Sequence, residues 1–226
     1  MDELDLLDWK RRVFELYASI RAARSPYDGW RLWCATRDEL FRSHSQTPVA
    51  PADRLRFASI PTFPYDPALR VLADVVGTER ERREIATSGA SPYVFTRFAR
   101  AEFVLEGRAQ SLDVYWLEGY GGGLFLSFTD ATTGTETYGG GRYLLDTVKG
   151  ADLGVEGGKL VLDFNLAYNP SCSYDSRWVC PLAPPENRID LPVRGGERLP
   201  RARRHAASRS PVDADQVVGV STSSSA

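Results

Sequence analysis

Between Glu102 and Phe128 the chain alternates apolar and polar residues in short runs separated only by glycine-containing turns, and this constrains the fold more than any other feature. Glu102 to Leu105, then Glu106-Gly107, then Ala109 to Leu117 has the form of a β-hairpin with a tight turn. In its second arm Leu112, Val114 and Trp116 share one face, and Asp113 and Tyr115 take the other. Gly119 to Gly123 is a second turn, followed by Leu124, Leu126 and Phe128 on one face. Val71 to Val75, Glu81 to Thr87 and Tyr93 to Ala99 supply earlier short strands. Leu160, Leu162 and Phe164 mark the last. Parallel neighbours need long crossover connections, usually helical, and no helical pattern alternates with these strands. The expectation is an antiparallel meander of about seven strands that curls toward a barrel, because closure hides strand edges.

Ahead of the strands lie two helical patterns. Leu4, Leu7, Val13, Leu16, Tyr17 and Ile20 recur at helical spacing within residues 2 to about 23, with Arg11, Arg12 and Glu15 on the other face. Ser25-Pro26 breaks this run. Gly29 to Phe41 reads as a second helix, with Trp30, Trp33, Leu40 and Phe41 inward and Arg37, Asp38 and Glu39 outward. Ser45-Gln46-Thr47-Pro48 and Pro51 end it. The fold class is therefore α+β: two N-terminal helices packed on an antiparallel, barrel-like β-meander, with a Pro-rich C-terminal loop. Residues 1–198 form one domain, helical over 1–45 and β-rich over 55–198. Residues 199–226, basic in R-A-R-R-H-A-A-S-R and ending S-T-S-S-S-A, read as a disordered tail, which removes His205 from consideration for chemistry.

A formal net charge of −2 argues against a broad grip on nucleic acid or an anionic membrane. No apolar run approaches the ~20 residues of a membrane span, and no apolar segment follows the charged N-terminus, so the reading is a cytoplasmic protein. The three cysteines, Cys34, Cys172 and Cys180, are an odd set for a disulfide framework. The C-x7-C spacing does not match a zinc knuckle. Cys172 and Cys180 are expected to pack as small hydrophobes, with no metal, rather than to form a site with His44.

Three blocks concentrate polar residues beyond what strands or solvated loops need: F-T-D-A-T-T-G-T-E-T-Y-G-G-G-R-Y-L from Phe128, L-D-F-N-L-A-Y-N-P-S-C-S-Y from Leu162, and C-P-L-A-P-P-E-N-R from Cys180. In order and spacing the chain resembles the bacterial and archaeal domain-of-unknown-function family 1684, over roughly Trp9 to Glu197. Arg37 to Pro48 follows the family pattern R-D-x-L-F-R-x-H-x-Q-S-P, with Thr47 in place of Ser. The resemblance implies a domain and a site and carries no activity with it.

Within the blocks, period two places Asp163 and Asn165 together on the face opposite Leu160, Leu162 and Phe164. A buried carboxylate there needs a partner, and Arg142, just after Gly139-Gly140-Gly141, is the natural one. Asp130 at the end of a strand serves a local turn or the site. G-G-G-R matches neither the P-loop nor the dinucleotide fingerprint, so no cofactor is specified. The Pro-stiffened loop holds Tyr168, Asn169, Tyr174 and Glu186 over one end. The reading is an enzyme or enzyme-like protein acting on a small polar molecule at a barrel mouth. Asp163 and Glu186 are its candidate catalytic residues, and Arg142, Asn165, Tyr138, Tyr168, Asn169 and Asp130 its binding residues. The alternatives are a non-catalytic ligand-binding barrel and a scaffold whose polar block only locks the fold.

Overall fold

The computed structural model describes residues 2–200. The tail expected from residue 199 therefore lies outside the described residues from 201 onward, as does His205. Helix α1 runs Asp2–Arg21 and α2 runs Pro26–Ser43. Eight strands follow: β1 Arg70–Ile85, β2 Tyr93–Leu105, β3 Arg108–Leu117, β4 Gly123–Asp130, β5 Arg142–Asp146, β6 Val155–Glu156, β7 Lys159–Asp163 and β8 Arg188–Ile189. The sheet order is β5-β4-β3-β2-β1-β7-β6, every neighbour antiparallel, and β8 joins β4 in parallel. The fold is the expected α+β arrangement, with the sheet curled into a half-barrel. No helix among the described residues is long and apolar enough to cross a membrane.

Local chemistry explains the turns. Ser25 begins α2 instead of merely breaking α1: its Oγ accepts from the Asp28 amide at 3.1 Å, and Pro26 occupies the first turn, where no amide is missed. Glu106 (φ 49°) and Gly107 (φ 74°) both take positive φ, the requirement of the tight hairpin turn that matches strand twist. The two early strand runs are one long strand, β1, with a register irregularity between Gly77 and Glu81. Tyr93–Leu105 is likewise continuous, and a bulge lies between Arg97 and Ala99 where it pairs with β3. Such bulges strengthen the local twist, which helps a sheet curl.

Curling gives two apolar clusters. One joins Ala99, Phe103, Leu112, Leu126, Phe128, Leu162 and Phe164 with Ile189, Leu191 and Val193 of the C-terminal segment. The other packs Val13, Leu16, Tyr17, Trp33, Leu40 and Phe41 of the helices on Phe95, Tyr115, Phe125 and Tyr143. Leu112 and Val114 thus serve one cluster and Tyr115 the other, as alternation requires, while Trp116 is left partly exposed. Leu4 and Leu7 are exposed, and the buried residues of α1 are Val13, Leu16 and Tyr17.

The β3–β4 ladder is short, pairing only Tyr115–Leu117 with Gly123–Phe125. Beyond it Asn187 bridges the two strands. Its Nδ2 donates to the carbonyls of Asp113 (2.9 Å) and Ser127 (2.8 Å), and its Oδ1 accepts from the Asp113 amide (2.7 Å). A buried side-chain amide here replaces missing backbone bonds, which would otherwise be costly orphans.

Candidate functional site

Arg142 is fully buried at the start of β5. Gly141, at φ 86°, leads into it with no room for a side chain between Ala183 and the Phe128 carbonyl. The guanidinium does not meet Asp163. Its Nη2 donates to Asp130 Oδ2 at 2.6 Å and to the Val193 carbonyl at 2.8 Å. Its Nη1 donates to the carbonyls of Gly195 and Glu197, and the group lies over the Phe128 ring at 5.0 Å. Burial pushes the Arg142 pKa down, and the Asp130 carboxylate opposes this. Asp130 Oδ1 in turn accepts from the Thr132 amide at 2.6 Å, the local turn role open to it from sequence. Every acceptor is used inside the protein, so this knot ties β4, β5 and the 193–197 segment together.

A second buried charge pair was not legible as a site. Arg37, expected outward, points into the core of α2 because it lies one turn from Trp33 and from Phe41 on the apolar stripe. It bonds Glu197 through Nε at 2.8 Å and through Nη2, and its guanidinium lies 5.0 Å from the ring centres of Trp33, Phe41 and Tyr168. Burial works against the Arg37 charge, but Glu197 raises the pKa overall. The other Glu197 oxygen accepts from the Asn169 amide (2.8 Å) and the Tyr174 hydroxyl (3.1 Å). Spacing along α2 is the signal that would have placed Arg37 inward.

Asp163 ends β7, and Asn165 lies in the 3-10 turn Phe164–Leu166 instead of continuing the strand. They remain neighbours: Asp163 Oδ1 accepts from both the amide and Nδ2 of Asn165, each at 2.9 Å. Asn165 also clamps residue 66, donating to the Asp66 carbonyl at 2.7 Å and accepting from its amide at 2.9 Å. Asp163 Oδ2 accepts no hydrogen bond among the described residues. Asp163 is 4% exposed, and burial raises its pKa against the Asn165 bonds and Arg70. It lines a recess of about 250 Å³ with Arg21, Arg24, Ser25, Arg70 and Glu156. Arg70 is paired with Glu156 at 2.7 Å, and Arg21 bonds the Asp152 carbonyl. Arg24 makes no ion pair among the described residues.

The other expected residues lie elsewhere. Glu186 is on the surface, 4.0 Å from Arg83, outside the recess. Tyr138 Oη contacts Cys172 Sγ at 3.6 Å. Tyr168 exchanges backbone bonds with Tyr143 beside Arg37, and Asn169 Nδ2 donates to the Arg198 carbonyl at 2.8 Å. His44 bonds Asp8 at 3.2 Å. A larger cleft of about 460 Å³ opens between residues 49–61 and the 173–174 turn, lined by Val49, Arg56, Phe57, Ser173 and Tyr174.

Fold and site together define a small α+β protein in which two helices cover a curled antiparallel sheet and buried arginine–carboxylate pairs tie down its C-terminal segment. The chain belongs to the family of proteins of unknown function DUF1684, whose model matches residues 55–198. It is similar to the solution NMR structure of an uncharacterized protein of Haloarcula marismortui, with 34% identity, a TM-score of 0.53, and coverage of 73% of this chain and 90% of that one. No curated protein matches it.

Proposed function

We propose that this protein acts on a small polar molecule carrying an anionic group, bound in the recess at Asp163. The observation that carries this reading is the half-used carboxylate: Asn165 fixes Oδ1, while Oδ2 accepts no hydrogen bond among the described residues, in a recess that holds Arg24. A carboxylate raised in pKa by burial and steered by a fixed amide suits general acid/base work on a substrate hydroxyl or amine. Arg24, with Arg70 beside it, supplies the anion contact. Asn165 is the positioning residue. Asp130 and Arg142 serve structure in this reading.

A non-catalytic binding role at the larger cleft is the second reading. Its volume of about 460 Å³ is in the range of small-molecule pockets, and Ser173 Oγ there is buried with no partner among the described residues.

A thermal-shift screen of inorganic phosphate, hydroxy acids and amino acids separates the two. A ligand at a hundredfold excess over its Kd stabilises by about 2.7 kcal/mol, which raises the Tm of a chain this size by roughly 5–10 °C. The proposal expects such a shift to vanish in Arg24→Ala and in Asp163→Asn. A shift that survives both variants and disappears in Ala58→Trp, which fills the larger cleft, overturns it in favour of the second reading.

A further inference from the structure

We propose that the recess at Asp163 is built for a zwitterion and takes a free α-amino acid with a short aliphatic side chain. This assignment rests on the function proposed for that recess and adds the substrate class to it. The charges around the recess cancel in pairs until two groups remain. Arg70, opposite Asp163 in the β1–β7 ladder, is held by Glu156 at 2.7 Å. Arg21 donates to the Asp152 carbonyl and lies 3.9 Å from the Asp152 carboxylate. Ser25 commits its hydroxyl to Asp28, accepting from the amide at 3.1 Å and donating to Oδ2 at 2.9 Å. Left over among the described residues are the Arg24 guanidinium, which makes no ion pair, and Asp163 Oδ2, which accepts no hydrogen bond. One uncommitted cation and one uncommitted carboxylate oxygen complement a ligand that carries one charge of each sign.

Other small anions fit this pair less well. A phosphate dianion would meet one free arginine and set its second charge against Asp163. A hydroxy acid can donate to Oδ2, but a neutral donor makes a bond about half as strong as a charged one. Burial raises the Asp163 pKa, so the ionised form is costly there. An ammonium at Oδ2 favours that form, and a further anion opposes it. The rest of the wall is apolar: Ile20 of α1, Leu153, Val161 of β7 and Leu166 of the 3-10 turn, the last two buried. An aliphatic side chain suits this wall, whereas a charged one would be desolvated against it without a partner. The volume of about 250 Å³ lies just below the roughly 300–1,000 Å³ of drug-sized pockets, which restricts the ligand to one small molecule. The nitrogen of the amino acid is then the atom presented to the carboxylate proposed for acid/base work.

The test is calorimetric titration of the full chain with L-valine, with its 2-hydroxy analogue, which lacks the ammonium, and with valinamide, which lacks the carboxylate. Valine should bind at least ~10-fold more tightly than either analogue. Asp163→Asn should weaken valine by a similar factor and bring it level with the hydroxy analogue. Arg24→Met should bring valine level with valinamide, and this arm decides alone should Asp163→Asn fail to fold. A hydroxy analogue or inorganic phosphate that binds as tightly as valine, and is lost in both variants, overturns the zwitterion assignment and leaves the function proposed for the recess standing. Valine binding that neither variant changes overturns it too, because the ligand then sits elsewhere. Absence of binding by valine, alanine and leucine at millimolar concentration overturns the assignment; the same absence for phosphate and the hydroxy analogue removes the proposed function with it.

Discussion

Two buried acids in this molecule are used in opposite ways. Asp130 spends one oxygen on Arg142 and the other on the Thr132 amide, and Arg142 is itself shared among three carbonyls. Asp163 has one oxygen fixed by Asn165 and one that accepts no hydrogen bond among the described residues, and it lines a recess. Under the proposed function, ion pairing does not mark the site. A saturated pair is a fastener, since any ligand would have to break bonds that the core supplies. A half-saturated carboxylate held rigidly by an amide is open to a ligand without loss of structure.

The comparison is broken most directly at the knot. Asp130→Ala leaves the Arg142 charge buried without a counter-ion and should cost about 3–5 kcal/mol in urea unfolding. Arg142→Met with Asp130→Leu should cost clearly less than the sum of its two single variants. The matching cycle of Arg142 with Asp163 should be additive within about 0.5 kcal/mol. Strong coupling of Arg142 to Asp163 would erase the distinction drawn between the two acids.

Asp163→Asn sharpens the other side, because the amide keeps an acceptor for Asn165. The folded-state pKa of Asp163 is raised above its ordinary 3.8, so the folded protein holds that proton more tightly than the unfolded chain. This stabilisation is fully present below the ordinary value and is lost as pH rises through the folded value. Denaturation at a series of pH values should show wild type losing stability relative to Asp163→Asn across that window. A difference that stays flat with pH would mean the carboxyl is not held in a raised state.

Smaller effects are expected around the recess. Ser25→Ala removes the α2 cap and should cost about 1 kcal/mol by thermal melting. Arg24→Ala should change stability by no more than about 0.5 kcal/mol, since it makes no ion pair among the described residues. Ligand shifts should nevertheless disappear with it. A large stability loss in Arg24→Ala would mean that the recess, too, is a fastener.

Much of the fold could be read from local pattern. The alternation at Leu112 and Val114 against Tyr115, the Glu106-Gly107 turn and the helical stripe of Val13, Leu16 and Tyr17 are all encoded within a few residues. So is the contact of Asp163 with Asn165, which survives the change from strand to 3-10 turn because the two are only two residues apart. For Arg37 the charge suggests an outward side chain, whereas its position on the apolar stripe of α2 turns it inward to Glu197.

The sequence by itself determined the class of fold, the turns and the contact of Asp163 with Asn165. It did so because backbone sterics and side-chain periodicity act over neighbouring residues. Only the tertiary structure decided which charges became fasteners. The acceptors of Arg142 come from residues 130 and 193–197, and the partner of Arg37 lies 160 positions away at Glu197. Such pairings depend on how the curled sheet and its C-terminal segment fill shared space. No local propensity carries that information.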